Sequence, residues 1–168
     1  VETEIIFVDM PNAVQSEIAV LNTTSLDKNN PDYFAAILAN QILGGGGEAR
    51  LFLNLREDKG YTYGAYSRMS DSHKTKALFK ATTSVRNAVS DSAVVEMIYE
   101  VDRIGSELVT DEELEIVKAK YAGNFVISLE DPETIANFAL NIKTQNLDPN
   151  FYKNYLKKIN AVSKEDIF

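Results

Sequence analysis

The residue types that most often carry chemistry are sparse in this chain. His73 is the one histidine and cysteine is absent, which excludes thiolate nucleophiles, cysteine zinc sites and disulfide frameworks together. A catalytic zinc takes about three protein ligands, with His supplying most of them when Cys is lacking. His73, in the polar stretch Ser70 to Lys74, is therefore expected to be a solvated turn residue. No Gly-x-Ser-x-Gly elbow offers a serine nucleophile. The run Gly44-Gly45-Gly46-Gly47 has the glycine content of a phosphate loop, but an acidic Glu48 follows it in place of a Lys-Ser or Lys-Thr pair. It reads as a hinge between two helices that lets backbones approach closely. Carboxylates recur at helical spacing, Glu96 with Glu100 and Glu112 with Glu113 and Glu115. Paired acids can serve as acid and base in glycoside hydrolysis, yet here they are expected on solvated helix faces.

The elements that must position such groups can be read from the pattern. Thr3 to Asp9 and Gln15 to Thr24 are β-like runs around the turn residues Pro11-Asn12, a strand-turn-strand opening of hairpin type. Asn29 to Asp32 supply breaker and cap residues before YFAAILANQIL, whose apolar positions 34, 37, 38 and 42 have a helical period that stops at Gly44. A second helix over Glu48 to Lys59 places Leu51, Phe52 and Leu55 on one face, and Gly60 ends it. Tyr61 to Met69 and Lys76 to Val85 read as an antiparallel pair. Helices follow over Ser92 to Leu108, from Thr110 towards Leu129, from Pro132, and over Phe151 to Val162. Thr110 with Glu113 has capping-box spacing, and Pro132 suits a first turn where its missing N–H costs nothing. Early antiparallel strands and late helices predict an α+β fold, a two-layer domain with helices packed on one face of an antiparallel sheet.

Composition bounds the function. With 168 residues, 45% hydrophobic and 25% charged, the chain is expected to form a single domain over 1–168. A formal net charge of −8 repels phosphate backbones, so nucleic acid is not an expected partner. No apolar run approaches the roughly 20 residues that span a bilayer. The chain opens with Val1 and reaches Phe168 soon after a new cap signal at Ser163. It is therefore expected to be a piece of a longer polypeptide, its compartment left open between bacterial periplasm and cytoplasm.

One stretch carries a pattern. Residues 38–67, LANQILGGGGEARLFLNLREDKGYTYGAYS, run from a helix into glycines, then through Arg50-Leu51-Phe52, Leu55-Arg56 and Lys59-Gly60 to an aromatic-rich strand with Tyr63. This resembles the non-zinc, C-terminal-type domain of the insulinase or pitrilysin superfamily of zinc peptidases, which includes the mitochondrial processing peptidases. Ala49 replaces the serine often found before Arg-Leu-Phe. The resemblance extends less specifically through VDMPNAVQSEI and TDEELEIVKAKY.

It implies one half of a clam shell whose other half carries an inverted zinc motif, His-x-x-Glu-His, which this chain lacks. The chain itself would hold no metal, zinc being expected in the partner half, on the same polypeptide or a separate subunit. The expected partners are that half, a peptide substrate, and a second copy of this chain. Arg56 and Tyr63, seven positions apart, would be the catalytic pair. By resemblance Arg56 holds a backbone carbonyl of the peptide and Tyr63 donates to the carbonyl oxygen attacked by zinc-bound hydroxide. Tyr61, Gly45 and Gly46 would contact substrate. From the residues alone, Arg56 could equally pair with last-turn carbonyls or Asp58, and Tyr63 could be sheet core. The alternative function is a structural or peptide-binding subunit of the same fold without proteolysis.

Overall fold

The computed structural model describes residues 3–168; Val1 and Glu2, the start of the first β-like run, lie outside them. Three strands form one antiparallel sheet in the order β1-β3-β2, with β1 at Gln15–Thr24, β2 at Thr62–Met69 and β3 at Ala77–Arg86. The central β3 pairs Val20 with Ala81 on one side and Ser67 with Ala81 on the other. Side chains alternate across a strand, and here Ala77, Ala81 and Val85 are buried while Leu78 and Lys80 between them are exposed. The helices that touch the sheet therefore pack on one face and the other face is open, the expected α+β layering.

Helix α1 (Tyr33–Gly44) is followed by one α-helical turn, α2 (Arg50–Phe52), that widens directly into a π-helix over Leu53–Asp58. Then come α3 (Ser90–Ile104), α4 (Asp111–Ser128), α5 (Pro132–Thr144), α6 (Tyr155–Ala161) and α7 (Lys164–Ile167). Two apolar clusters hold them. Leu43, Leu51, Leu55, Ala65, Val85 and Met97 fill the space between the sheet and the helices laid on it. Phe34, Leu38, Leu114, Val117, Phe151 and Ile159 join α1 to α4 and α6, and Ile104 touches both clusters. Fully burying a Leu such as 38, 51 or 55 contributes about 1.5–3 kcal/mol.

Three expectations are corrected. Residues 3–10 form no strand, and Ile5 and Phe7 are 88% and 85% exposed. The turn itself exists, with Ala13 N–H donating to the Met10 carbonyl at 2.9 Å. However, β1 takes its ten partners from β3, and the Asn87 amide donates to the Ala13 carbonyl at 2.8 Å, drawing that end towards the exit of β3. The helix expected over Glu48 to Lys59 is mostly a π-helix, with Lys59 N–H donating to the Asn54 carbonyl at 2.9 Å. Glu100, expected on a solvated face, is 3% exposed because Asn54 and Arg103 reach it from two sides.

Candidate functional site

The π-turn carries Arg56. Asn54, two residues earlier, donates its amide to Glu96 at 3.0 Å and Glu100 at 2.8 Å on α3, while Leu55 is fully buried. These contacts hold the wide turn against α3 and leave Arg56 on the outside, 46% exposed. π-turns occur frequently at functional sites. Its guanidinium lies 4.7 Å from the centre of the Phe52 ring, and Nε is 3.5 Å from a Glu57 carboxylate oxygen. At the end of the turn Gly60 takes φ 63°, a left-handed conformation that favours glycine. Gly60 N–H donates to the Arg56 carbonyl and Tyr61 N–H to the Leu55 carbonyl, so the chain reverses into β2 with its helix end satisfied.

Tyr63 is not sheet core: it is 89% exposed. The register of β2 against β3 slips between Thr62 and Ala65, a bulge that turns the side chain outward. Two threonines pin this bulge. The Thr62 hydroxyl donates to the Ser84 carbonyl at 2.7 Å and accepts from Gly64 N–H at 3.1 Å, and Thr83 donates to the Gly64 carbonyl at 3.0 Å. Gly64 also leaves room for an aromatic ring, since a Cβ there would come within 2.7 Å of Tyr66. Gln15, Thr62, Tyr63, Gly64, Tyr66 and Ser84 line a shallow, largely open cavity of about 310 Å³ at this end of the sheet.

Aromatic contacts run from Arg56 as far as Tyr66, which lines the Tyr63 cavity. Phe52 carries Arg56 on one side and lies 5.9 Å, centre to centre, from Tyr66, which lines the Tyr63 cavity. The glycine run borders the same ring, a Cβ on Gly47 falling 3.8 Å from Phe52. Gly45 and Gly46 are engaged from another direction. The Gly45 carbonyl accepts from Gln41 at 2.8 Å and from Lys120 at 3.1 Å, and a Cβ on Gly46 would meet Lys120 Nζ at 2.8 Å. Tyr61 is half-buried and packs on the cluster beneath the sheet. Thus Tyr66, Phe52 and the pinning residues Thr62, Gly64 and Thr83 join Arg56 and Tyr63, whereas Tyr61 points into packing. A glycine inside a strand pattern was the one available signal for the bulge.

The residues present do not make a zinc site. His73 is exposed in the turn between β2 and β3, and among the described residues no three His, Asp or Glu side chains gather as a metal would need. No described helix is long and apolar enough to cross a membrane.

The family model described as "Peptidase M16 inactive domain" matches residues 2–121. The chain belongs to that family. It is also 30% identical over 112 residues to the uncharacterized zinc protease YmxG of Bacillus subtilis (strain 168), a match covering 66% of this chain and 27% of that protein. Among solved structures, the peptidase M16 inactive domain from Pseudomonas fluorescens superposes with TM-score 0.84 at 24% identity, over 92% of this chain and 37% of that one. A protease from Helicobacter pylori does so with TM-score 0.81 at 18% identity, over 95% and 38%. At these identities the structural likeness establishes the fold. The chain spans little more than a third of those chains and about a quarter of YmxG. It is an inactive M16 domain of the zinc protease family.

Proposed function

We propose that this domain forms the non-metal wall of a zinc endopeptidase site, with zinc held by the partner half and the peptide gripped between them. Arg56 holds a backbone carbonyl of an extended peptide, and Tyr63 donates its hydroxyl to the scissile carbonyl oxygen as negative charge develops there. The observation that supports this reading is the bulge that sets Tyr63 outside the sheet beside a shallow open cavity, one of whose lining residues, Tyr66, packs near Phe52, the ring under Arg56. A phenol donates without carrying charge at neutral pH, and loss of one preorganised donor to an oxyanion costs about 2.7–4 kcal/mol of transition-state stabilisation. A guanidinium keeps its proton and offers a rigid fork of donors. Bound zinc would polarise the carbonyl and supply the nucleophile; this chain's residues bind, orient and donate hydrogen bonds.

The test is steady-state cleavage of one extended peptide by the assembly of this domain with its zinc-bearing half. Tyr63→Phe should lower kcat about 10²–10³-fold with KM little changed. Arg56→Ala should raise KM as well as lower kcat, and Tyr61→Phe, in the packing beneath the sheet, should change neither. Retention of more than about half of wild-type kcat by Tyr63→Phe overturns the oxyanion role. Because Arg56 already rests on Phe52 and Glu57 within the chain, that outcome would move the domain to the peptide-binding or structural reading.

A further inference from the structure

Arg68 and Lys80 stand directly opposite one another on β2 and β3, both exposed on the open face of the sheet. Like charges in that relation destabilise a sheet. Neither forms an ion pair among the described residues, although acids outnumber bases by 25 to 17 in the chain. Among the described residues, ion pairs engage seven of the 17 bases, among them Lys28 with Asp71 and Arg50 with Glu113; Arg68 and Lys80 differ from the other unpaired ones in facing each other directly across the sheet. An unmatched cross-strand pair in an acidic protein is a local cost that the fold does not need.

The pair also has a place relative to the site. On the open face, Tyr66 and Thr82 form the next rung along β2 and β3, and Ser84, two residues on from Thr82, lines the Tyr63 cavity. Ser84 lies four positions along β3 from Lys80, about 13 Å at the rise of an extended chain. A peptide lying along this face advances at the same rate. We propose that Arg68 and Lys80 bind a carboxylate of an extended peptide, an Asp or Glu side chain or the peptide's C-terminus, about four residues from the residue seated beside Tyr63. Arg68 supplies a planar fork for the two oxygens and Lys80 a mobile point charge. Leu21, opposite Lys80 on β1 and 57% exposed, provides apolar surface beside the pair. The inference rests on the proposal that peptide passes the Tyr63 cavity, and it adds a preference for acidic substrates.

Binding rather than cleavage tests it, by fluorescence anisotropy of labelled synthetic peptides on this chain. The peptides share one extended sequence with amidated ends; one carries glutamates, one carries glutamines in their place, and one carries glutamines with a free C-terminus. One or both carboxylate peptides should bind about three- to tenfold tighter than the neutral one at low salt, the scale of one or two exposed charge contacts. The difference should shrink at high salt. Which carboxylate gives the gain distinguishes side chain from chain end. In the double variant Arg68→Gln, Lys80→Gln the gain should vanish, neutral-peptide affinity should stay, and Tm should hold or rise because a repulsion has gone. A purely structural role would lower Tm. Equal affinities for all three peptides, or a gain that survives the double substitution, overturns the inference. So does a double variant that leaves every peptide affinity alone while weakening co-purification with the zinc-bearing half, since the pair would then be an assembly contact. No kcat enters, so this result and that of Tyr63→Phe stand or fall separately.

Discussion

Arg50 and Glu113 show how much a single pair of side chains can fix in this fold. Arg50, 6% exposed, places Nε 2.6 Å and Nη2 3.0 Å from the two Glu113 carboxylate oxygens, a bidentate contact between α2 and the first turn of α4. Burial pushes the Glu113 carboxyl up, but hydrogen bonds from Arg50 and from the Thr110 N–H, with the charge of Arg50, outweigh it and hold the pKa at about 2 against an ordinary 4.5. The folded-state value is depressed, so this stabilisation is fully present above pH 4.5 and is lost as pH falls towards 2. Glu113→Gln should therefore lower stability at neutral pH by about 1–3 kcal/mol, less than for a fully buried pair. Its stability should also depend less on pH in the acid range than that of the wild type. Thermal melts of both proteins between pH 7 and pH 2 check this; parallel curves would show that the ion pair contributes nothing measurable. The capping half of the arrangement was legible, since Thr110 and Glu113 have the spacing and make both capping-box bonds. The Arg50 half was not. An Arg between Ala49 and Leu51 reads as surface, and only the return of α4, more than sixty residues later, buries it. For Tyr63 the alternation alone allowed sheet core as the alternative to a residue at the rim, and the bulge pinned by Thr62 and Thr83 overrides that alternation.

At the scale of elements, the glycine run does two separate jobs. Gly44 ends α1 hard against β2, where a Cβ would overlap the backbone nitrogen and side chain of Ser67. Ser67 itself is tied back to Asn40 by its hydroxyl at 2.9 Å. Backbone cannot swing aside as a lysine tip can, so Gly44→Ala should destabilise by about 1–3 kcal/mol, the usual scale of overpacking. Gly47→Ala, whose backbone is ordinary and whose Cβ would sit 3.8 Å from the Phe52 ring, should cost less. Denaturant midpoints of the two variants decide between them, and equal losses would mean that the α1–β2 approach is no tighter than the rest of the loop. The close approach was legible as a possibility in four consecutive glycines, and the helix stop at Gly44 and the pairing of β2 with β3 follow from local pattern. The π-turn does not. Its width depends on Asn54 reaching Glu96 and Glu100 across to α3, and an α-helix and a π-helix over Leu53–Asp58 share nearly the same apolar spacing. Thr3 to Asp9 shows the same limit in a strand. Alternation records that a segment suits a sheet, yet β1 pairs on one side with β3 and keeps its other edge unpaired, and no described strand pairs with residues 3–10.

For the molecule as a whole, the open sheet face and the exposed apolar residues Ile5, Phe7 and Val14 are surfaces that the proposed assembly with a zinc-bearing half would cover. The division of labour can be tested directly. A tightly held zinc needs about three ligands, and among the described residues His73 is exposed and no three His, Asp or Glu side chains gather. After dialysis against zinc-free buffer this chain should retain well below one zinc per molecule and should cleave no extended peptide at any pH. Adding a domain that carries His-x-x-Glu-His, covalently or as a separate subunit, should restore both zinc and cleavage. The restored activity should be lost with Tyr63→Phe while the zinc content stays, because the hydroxyl acts on the substrate and not on the metal. Stoichiometric zinc in the chain alone would overturn the assignment of the metal to the other half. Zinc and cleavage restored but indifferent to Tyr63→Phe would keep the two-half architecture and remove this domain from the chemistry, leaving it a wall that binds peptide and shapes the cavity.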